Sequence, residues 1–280
     1  MKQIRIAFQG EPGAYSEAAA LEFTGPTAQT IPCHTFEDVF AAVTSGEVDH
    51  GMLPIENSLA GSIHRNYDLL LRNKLNIIGE YHYRVNHCLL ALPGVKLNEI
   101  EYVHSHPQAL AQCEASLAQL GVKTVAESDT AGSARWLRET GDHTAAAIAS
   151  HRAAQVYGLE ILTEDLEDNP ANYTRFLAVA LEPLIIQDAL MENYKTSIVF
   201  SMLNRPGILF KAMSVFALRD IDLTKIESRP IPGKPWDYMF YIDFEGYANA
   251  PVCARALGHL EELTTFMRIL GSYPRHRLNY

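Results

Sequence analysis

Short apolar runs alternate with longer helical patterns between residues 1 and 182. This alternation limits the possible folds most strongly, because a chain that repeats strand and helix buries its strands in a mainly parallel sheet. The predicted strands are 4–8, 51–55, 75–83, 87–92, 102–104, 145–149 and 173–181, and the predicted helices are 16–23, 36–45, 62–72, 107–120, 130–139 and 150–157. The sequence therefore predicts an α/β fold for this region.

Two segments are expected to connect two lobes. Residues 75–83 would carry the chain from a first lobe (1–78 and 160–182) to a second (79–159), and residues 159–172 would return it. A pair of crossings between two lobes is typical of a hinge around a ligand-binding cleft.

A second domain is predicted over residues 195–275, after a linker at 182–194. Its pattern is strand 196–202, helix 206–219, strand 221–228, a Pro-Gly-Lys-Pro turn, strand 238–244, helix 250–266 and strand 268–273. This βαββαβ order is that of a ferredoxin-like fold. A single four-stranded layer has a face or edge left to bury, so we expect the domain to pair with a second copy of the chain.

Charge and composition narrow the possible functions. The 280 residues include 23 Lys and Arg against 33 Asp and Glu, and the resulting formal charge of −10 disfavours nucleic acid and anionic membranes as partners. No run approaches the ~20 apolar residues of a membrane-spanning helix. The four cysteines are scattered without a Cys-x-x-Cys pair, which predicts buried free thiols and a cytoplasmic location.

Polar motifs lie where predicted strands meet predicted helices, whose N-termini expose N–H groups that can hold a carboxylate. The segment 10–16 (Gly-Glu-Pro-Gly-Ala-Tyr-Ser) lacks the lysine of a nucleotide-binding P-loop, and Ser16 either caps the helix or donates to a ligand. In the segment 54–58 (Pro-Ile-Glu-Asn-Ser), Asn57 can both donate and accept at a strand end.

The segment 105–112 (Ser-His-Pro-Gln-Ala-Leu-Ala-Gln) predicts a helix beginning at Pro107, where the missing N–H would have been unpaired. His104 and His106 lack the spacing of two metal ligands on a helix, so no metal site is expected. Glu127 precedes the next helix, where either a ligand contact or a solvated carboxylate explains it.

Thr174, Arg175 and Phe176 stand where a polar loop enters a buried strand. In a regular strand Thr174 and Phe176 share one face, and Arg175 lies on the other. Thr174 and Arg175 therefore do not both point into the cleft. We expect Thr174 to be catalytic and Arg175 to organise the site or pair a charge, with direct substrate contact by Arg175 as the alternative.

In this order, the motifs resemble those of the prephenate dehydratase family, whose signature is the Thr-Arg-Phe triplet and which ends in an ACT regulatory domain. The resemblance spans nearly the whole chain. It implies a two-lobed catalytic region like the type 2 periplasmic binding proteins, and conversion of prephenate to phenylpyruvate, carbon dioxide and water without a metal or redox cofactor. It implies Thr174 and Glu127 as catalytic residues, and as substrate-binding residues Ser16, Asn57, Ser58, Ser105, Gln112, Arg175 and Phe176.

Two further segments, 204–209 (Asn-Arg-Pro-Gly-Ile-Leu) and 227–230 (Glu-Ser-Arg-Pro), resemble the motifs that bind L-phenylalanine in that family's ACT domain. Ile208 replaces the family's alanine and Phe210 its valine, and the added volume either tightens or obstructs the pocket. The resemblance implies allosteric inhibition by L-phenylalanine in a homodimer or homotetramer. The implied effector residues are Asn204, Pro206, Gly207, Ile208, Leu209, Glu227 and Ser228.

Two alternatives stay open. An arogenate dehydratase would recognise an amino group in place of the keto group, and the lack of a transit-peptide pattern at the start favours prephenate. A two-lobed sensor of carboxylates or amino acids would retain the segment 10–16 and the hinge but would not require Thr174.

Overall fold

The structure is a computed structural model that describes residues 3–185, 193–231, 233–234 and 236–277. Part of the predicted linker at 182–194, and Pro232 and Pro235 of the predicted turn, lie outside the described residues. Within the described part of the chain, no helix is long and apolar enough to cross a membrane.

The first sheet has six strands. They are β1 (Arg5–Gln9), β2 (Gln29–Cys33), β3 (His50–Asn57), β4 (Gly61–Ser62), β5 (Asn76–Arg84) and β11 (Tyr173–Ala180), in the order β2-β1-β3-β11-β5 with β4 paired to β3. β1 is parallel to β2 and β3, as the alternation predicts. The helices that follow these strands are α1 (Tyr15–Thr24), α2 (Phe36–Thr44) and α3 (His64–Arg72).

The second sheet has five strands, β6 (Cys88–Ala91), β7 (Tyr102–Ser105), β8 (Lys123–Ala126), β9 (Ala145–Ala149) and β10 (Glu160–Thr163), in the order β10-β6-β9-β7-β8. β7 is parallel to β8 and β9, whereas β6 is antiparallel to both β9 and β10. The sheet is therefore parallel over β7, β8 and β9, as predicted, whereas the two pairs that β6 makes are antiparallel. β6 is the strand by which the chain enters the second sheet, directly after β5 of the first sheet.

The helices of the second sheet are α4 (Pro107–Gln112), α5 (Glu114–Leu120), α6 (Thr130–Thr140) and α7 (His151–Tyr157). The single helix predicted at 107–120 is broken at Cys113, whose φ of −117° and ψ of 19° leave the helical region. α6 begins where the Asp129 carboxylate accepts the N–H of Gly132, and it ends at the left-handed Gly141. The two predicted connections are present, because β5 leads to β6 and β10 leads to β11.

The third sheet has four antiparallel strands, β12 (Tyr194–Ser201), β13 (Leu223–Pro230), β14 (Tyr238–Glu245) and β15 (Phe266–Pro274), in the order β13-β14-β12-β15. With α8 (Ile208–Ala217) and α9 (Pro251–Leu263), they confirm the ferredoxin-like order. The core joins both helices to β12 and β14 through Phe200, Phe216, Phe244 and Leu260, all at most 1% exposed.

The chain divides into two compact units, Met1–Ile63 with Tyr81–Phe176, and His64–Glu80 with Leu177–Tyr280. The sequence had assigned α3 and the start of β5 to the first lobe, but the structure groups them with the third sheet. Three contacts explain this grouping. The Tyr241 hydroxyl donates to the Tyr67 carbonyl at 2.9 Å, Arg229 binds both Asp68 oxygens at 3.2 and 2.9 Å, and the buried Lys195 ammonium lies 2.8 Å from Glu80.

Within the second unit, β15 approaches the β5 segment without room for a side chain at Gly271. A Cβ atom there would lie 2.1 Å from the Ile77 carbonyl oxygen. We expect Gly271→Ala to lower the free energy of unfolding by about 1–3 kcal/mol, the usual cost of overpacking a buried contact. Denaturant unfolding of the purified protein measures this loss.

Gly258→Ala is the matched control, because a Cβ at Gly258 in α9 meets nothing within 4 Å. Alanine favours a helix over glycine, so this variant should be as stable as the native protein or slightly more stable. Equal stability of Gly271→Ala and the native chain would contradict the close approach of β15 to Ile77.

Candidate active site

A cavity of about 550 Å³ lies in the first unit, and both of its sheets contribute to the wall. The first sheet supplies Asn57 and Thr174 from the ends of β3 and β11, and the second supplies Gln112 and Asp129 from the segments after β7 and β8. The cavity therefore forms where polar loops follow buried strands. This is the usual place for a ligand in an α/β protein.

The segment 10–16 reaches the cavity from β1 and is held against α7. Gly13 has a φ of +93°, and a Cβ there would lie 2.8 Å from Ala153 Cα, so only glycine fits. The Ser150 hydroxyl donates to the Gly13 carbonyl at 2.5 Å, and the Tyr157 hydroxyl donates to the Pro12 carbonyl at 2.8 Å. These contacts fix the start of α1, where Ala14 supplies no side-chain cap and Ser16 lines the cavity.

The Asn57 amide positions Thr174. Its Nδ2 donates to Asn172 Oδ1 at 2.8 Å, to the Tyr173 carbonyl at 3.2 Å and to Thr174 Oγ1 at 3.0 Å, while its Oδ1 accepts the N–H groups of Leu59 and Ala60. Both ends of the amide are thus used inside the protein. Because Thr174 Oγ1 accepts from Asn57, its own O–H remains available to donate into the cavity.

Gln112 is oriented by a second set of bonds. Its Oε1 accepts from His87 Nε2 at 2.8 Å and from Asn172 Nδ2 at 3.1 Å. An amide oxygen only accepts, so His87 Nε2 carries a hydrogen. Burial lowers the pKa of His87, and the neutral ring offers Nδ1 to the Tyr15 hydroxyl at 2.7 Å. With its oxygen held in this way, Gln112 keeps its two N–H donors for a ligand in the cavity.

Four of the predicted site residues are not among the described residues that line the cavity: Ser58, Ser105, Glu127 and Arg175. The Ser58 hydroxyl donates to the Ala171 carbonyl at 2.7 Å, and the Ser105 hydroxyl donates to the Ile148 carbonyl at 2.7 Å. Both serine hydroxyls therefore stabilise backbone segments near the site through these hydrogen bonds. Phe176, like Thr174, does line the cavity, and the strand alternation turns Arg175, only 8% exposed, to the other side.

Glu127 is turned toward a histidine outside the cavity wall. Its Oε1 lies 2.9 Å from His104 Nδ1, and the His104 ring stacks on Trp136 with ring centres 4.0 Å apart. Glu127 is not among the described residues that line the cavity, and its catalytic role stays a prediction. Its contact with His104 joins the end of β7, which carries this histidine, to the residue that follows β8.

The cavity wall has an unusual charge for a site expected to hold an anion. Among the described lining residues there is no lysine or arginine, and Asp129 is the single carboxylate. Helix N-termini can supply positive potential in place of such side chains, and α1 and α6 both begin at the cavity. No group of three His, Cys, Asp or Glu in the described residues is placed to hold a metal ion.

The predicted effector residues lie in the second unit. Asn204, Pro206 and Gly207 are exposed just before α8, and Gly207 adopts a φ of +76°. On β13, an end strand of the third sheet, Ser228 is exposed and Glu227 lies 3.3 Å from His64 Nε2. Ile208 is half-buried and Leu209 is 39% exposed, so most of the segment 204–209 is exposed.

Sequence reasoning missed Tyr15, His87, Asn172 and Asp129 as site residues. Tyr15 and Asn172 lay inside segments already singled out, at 10–16 and directly before Thr174. His87 lies within a predicted strand, and its role depends on a contact with Gln112 from a distant helix, so no local pattern could reveal it. Cys33 is half-buried, whereas the other three free thiols are buried as predicted.

The sequence matches the prephenate dehydratase family over residues 6–183 and the ACT domain over residues 196–256. The chain belongs to the prephenate dehydratase family. Like the family, it is a hydro-lyase with a C-terminal ACT domain.

Three relatives of this prephenate dehydratase family member illustrate the match. Arogenate dehydratase/prephenate dehydratase 1 of Arabidopsis thaliana, a chloroplastic protein, is 52% identical over 97% of this chain and 72% of its own length. Prephenate dehydratase from Arthrobacter aurescens, solved in complex with L-Phe, has a TM-score of 0.88 at 34% identity, covering 97% of this chain and 90% of that one. GqqA, described as a novel type of quorum quenching acylase, has a TM-score of 0.91 at 40% identity, covering 97% and 98%.

Proposed function

We propose that this protein converts prephenate to phenylpyruvate in L-phenylalanine biosynthesis, and that the reaction takes place in the cavity between β3, β11 and the helices α1, α4 and α6. The reaction removes the ring carboxylate as carbon dioxide and the C4 hydroxyl as water. The electron pair of the breaking carbon–carboxylate bond passes through the ring and expels the hydroxyl, which takes up one proton. The product ring becomes aromatic, so the chemistry is already strongly driven.

The enzyme then has two main tasks, orienting the substrate and helping the hydroxyl depart. Thr174 serves the second task. Its oxygen accepts from Asn57 and lies on the cavity wall, so its O–H is available to donate to a ligand there. A neutral hydroxyl is a weak acid, so Thr174 donates a hydrogen bond to the departing oxygen and relays a proton from water. This hydroxyl, oriented by Asn57, is the observation that carries the proposal.

Binding of the two carboxylates should be unequal. Strong donors on the ring carboxylate would stabilise the reactant more than a transition state in which its charge disperses, and this would slow the reaction. The apolar part of the wall, which includes Phe176, Val85 and Ile63, suits the carboxylate that leaves. The N–H groups at the start of α1 and the donors of Gln112 suit the rest of the substrate.

Arogenate dehydration is the second candidate function. The Arabidopsis relative that is 52% identical bears both activities in its name. The reacting ring of arogenate is the same, and only the side chain differs, with an ammonium in place of the keto group. The same position of Thr174 therefore serves either substrate.

An acylase reaction, suggested by the name of the structural relative GqqA, fits the geometry less well. It requires an activated nucleophile next to a general base. In the described residues the Thr174 hydroxyl is bonded to the Asn57 amide and to no histidine. His87 is bonded to Gln112 and Tyr15 instead.

We also propose that L-phenylalanine inhibits the enzyme at the ACT domain, at a site formed between paired domains of a homodimer or homotetramer. β13 is at one end of its sheet, where Ile226 is 49% exposed, and Phe210 in the first turn of α8 is 77% exposed. Pairing of two domains would bury these side chains and enclose the segments 204–209 and 227–230. Inhibition requires that L-phenylalanine bind the less active state more tightly.

Replacement of the Thr174 hydroxyl tests the dehydratase proposal. We expect Thr174→Ala to lower kcat on prephenate by roughly 100- to 1,000-fold, the usual effect of losing one transition-state donor, about 2.7–4 kcal/mol. Thr174→Ser should retain more activity because it keeps the hydroxyl. Phenylpyruvate formation from prephenate, measured with arogenate and an N-acyl substrate in parallel, gives the rates. A Thr174→Ala protein that turns over at the native rate would refute this role.

A bulky charge in the second effector segment tests the regulatory proposal in the full-length chain. We expect Ser228→Arg to raise the L-phenylalanine concentration for half-inhibition by about tenfold or more, the cost of about 1.4 kcal/mol in binding. Thr224→Arg, on the same edge strand but outside the segment, is the control and should be inhibited like the native protein. Unchanged inhibition of Ser228→Arg would place the effector elsewhere.

A further inference from the structure

The side chain of Asp129 is the one feature of the cavity that the prephenate reaction leaves unexplained. Prephenate carries two carboxylates, and a carboxylate on the wall repels both of them. Yet Asp129 is the single acidic residue among the described lining residues, and no lysine or arginine on that wall offsets it. This arrangement is unfavourable for a dianion and favourable for a substrate that carries a positive charge beside its carboxylates.

The neighbourhood of Asp129 has the parts that recognise an α-amino acid. Its Oδ1 caps α6 by accepting the Gly132 N–H at 2.6 Å, and its Oδ2 lies 3.3 Å from the Ser128 hydroxyl. The start of α1 lies on the same cavity and has no side-chain cap at Ala14. Backbone N–H groups at a helix start hold a carboxylate, and a nearby aspartate holds an ammonium.

The position of Asp129 relative to Thr174 also suits contact with the substrate side chain. Thr174 lies on a strand of the first sheet, and Asp129 follows a strand of the second, so they reach the cavity from different sheets. In both candidate substrates the leaving hydroxyl is on C4 of the ring, and the side chain is on C1, at the opposite end. With the hydroxyl at Thr174, the side chain points away from the first-sheet strand that bears Thr174.

The cavity has room for the substrate side chain at the end away from Thr174. A second cavity of about 320 Å³ shares four wall residues with the first: Gln9, Gly10, Ser128 and Asp129. Asp129 therefore stands where the two cavities meet, within reach of a group that extends beyond the ring.

We propose that Asp129 contacts the α-ammonium of the substrate side chain and sets the selectivity of this enzyme between the amino acid arogenate and the keto acid prephenate. This proposal rests on the dehydratase function proposed above. It assigns to Asp129 a role in specificity, separate from the chemistry at Thr174. The chain accordingly accepts arogenate as a substrate.

Asp129→Asn is the most informative substitution. Asparagine has nearly the same shape and is as good a helix N-cap as aspartate, so α6 should still form. It removes only the charge. We expect kcat/KM for arogenate to fall about tenfold and kcat/KM for prephenate to rise about threefold, because one Coulomb contact is lost and one repulsion is relieved.

Asp38→Asn is the matched control. Asp38 also caps a helix start, since its Oδ2 accepts the Thr35 N–H at 3.0 Å, but it lies outside the cavity wall. It removes the same formal charge from the protein and should leave the ratio of the two kcat/KM values unchanged. Thermal unfolding of both variants checks that the fold is preserved.

The outcomes separate the two proposals. If the native enzyme converts either substrate but Asp129→Asn shifts both kcat/KM values in parallel, the specificity role fails and the dehydratase function stands. Conversion of prephenate alone by the native enzyme would likewise overturn the role of Asp129. If the native enzyme converts neither substrate, the dehydratase function itself fails. Opposite changes for the two substrates, absent from Asp38→Asn, would support Asp129 as the specificity residue.

Discussion

The side-chain amide of Asn57 holds together the part of the molecule on which the proposed chemistry depends. One amide nitrogen bonds Asn172, the Tyr173 carbonyl and Thr174, so it fixes both the start of β11 and the hydroxyl on it. Asn172 then continues the contact to Gln112, whose oxygen is also held by His87. Because Asn57 and Thr174 come from the first sheet and the helix of Gln112 follows a strand of the second, this chain of bonds fixes the Thr174 hydroxyl relative to the Gln112 donors. Both ends of the Asn57 amide and the Gln112 oxygen have defined partners, which makes this part of the network rigid and leaves the Thr174 O–H and the Gln112 N–H groups to face the cavity.

The electrostatics of the cavity follow from a protein with ten more acidic than basic residues. The described wall has no lysine or arginine, so an anionic substrate bound there would depend on helix starts and amide donors. Such donors are fixed by the backbone, so they need no rearrangement during the reaction. This arrangement also leaves a single carboxylate, Asp129, with a large influence on which charge the cavity accepts. A wall with several ionised side chains would dilute the effect of any one of them.

The sequence predicted the order of helices and strands well where the apolar pattern was long, as in β3, β9, α6 and the whole βαββαβ domain. It missed β2, β4, β8 and β10, which are short and partly exposed and so lack an apolar run. It also missed that α3 packs with the third sheet, because the contacts of Tyr67 and Asp68 with Tyr241 and Arg229 join residues far apart in the chain.

Within the site, the motifs predicted Thr174, Phe176, Asn57, Gln112 and Ser16 on the wall, whereas His87 and Asp129 follow only from the assembled fold. For Glu127, the sequence predicted a position next to the site but not the direction of the side chain, which turns to His104.

The central claim is that Asn57 acts through the Thr174 hydroxyl, and a double-mutant cycle on kcat for dehydration tests it most directly. Asn57→Ser keeps a short acceptor for the turn at Leu59 and Ala60 but removes the amide donor to Thr174. We expect Asn57→Ser to lower kcat at least tenfold in the native background and little in the Thr174→Ala background. The two residues would then share a coupling energy of about 1–3 kcal/mol, within the range for groups in one hydrogen-bond network. Independent effects, in which Asn57→Ser lowers kcat by the same factor in both backgrounds, would contradict the account.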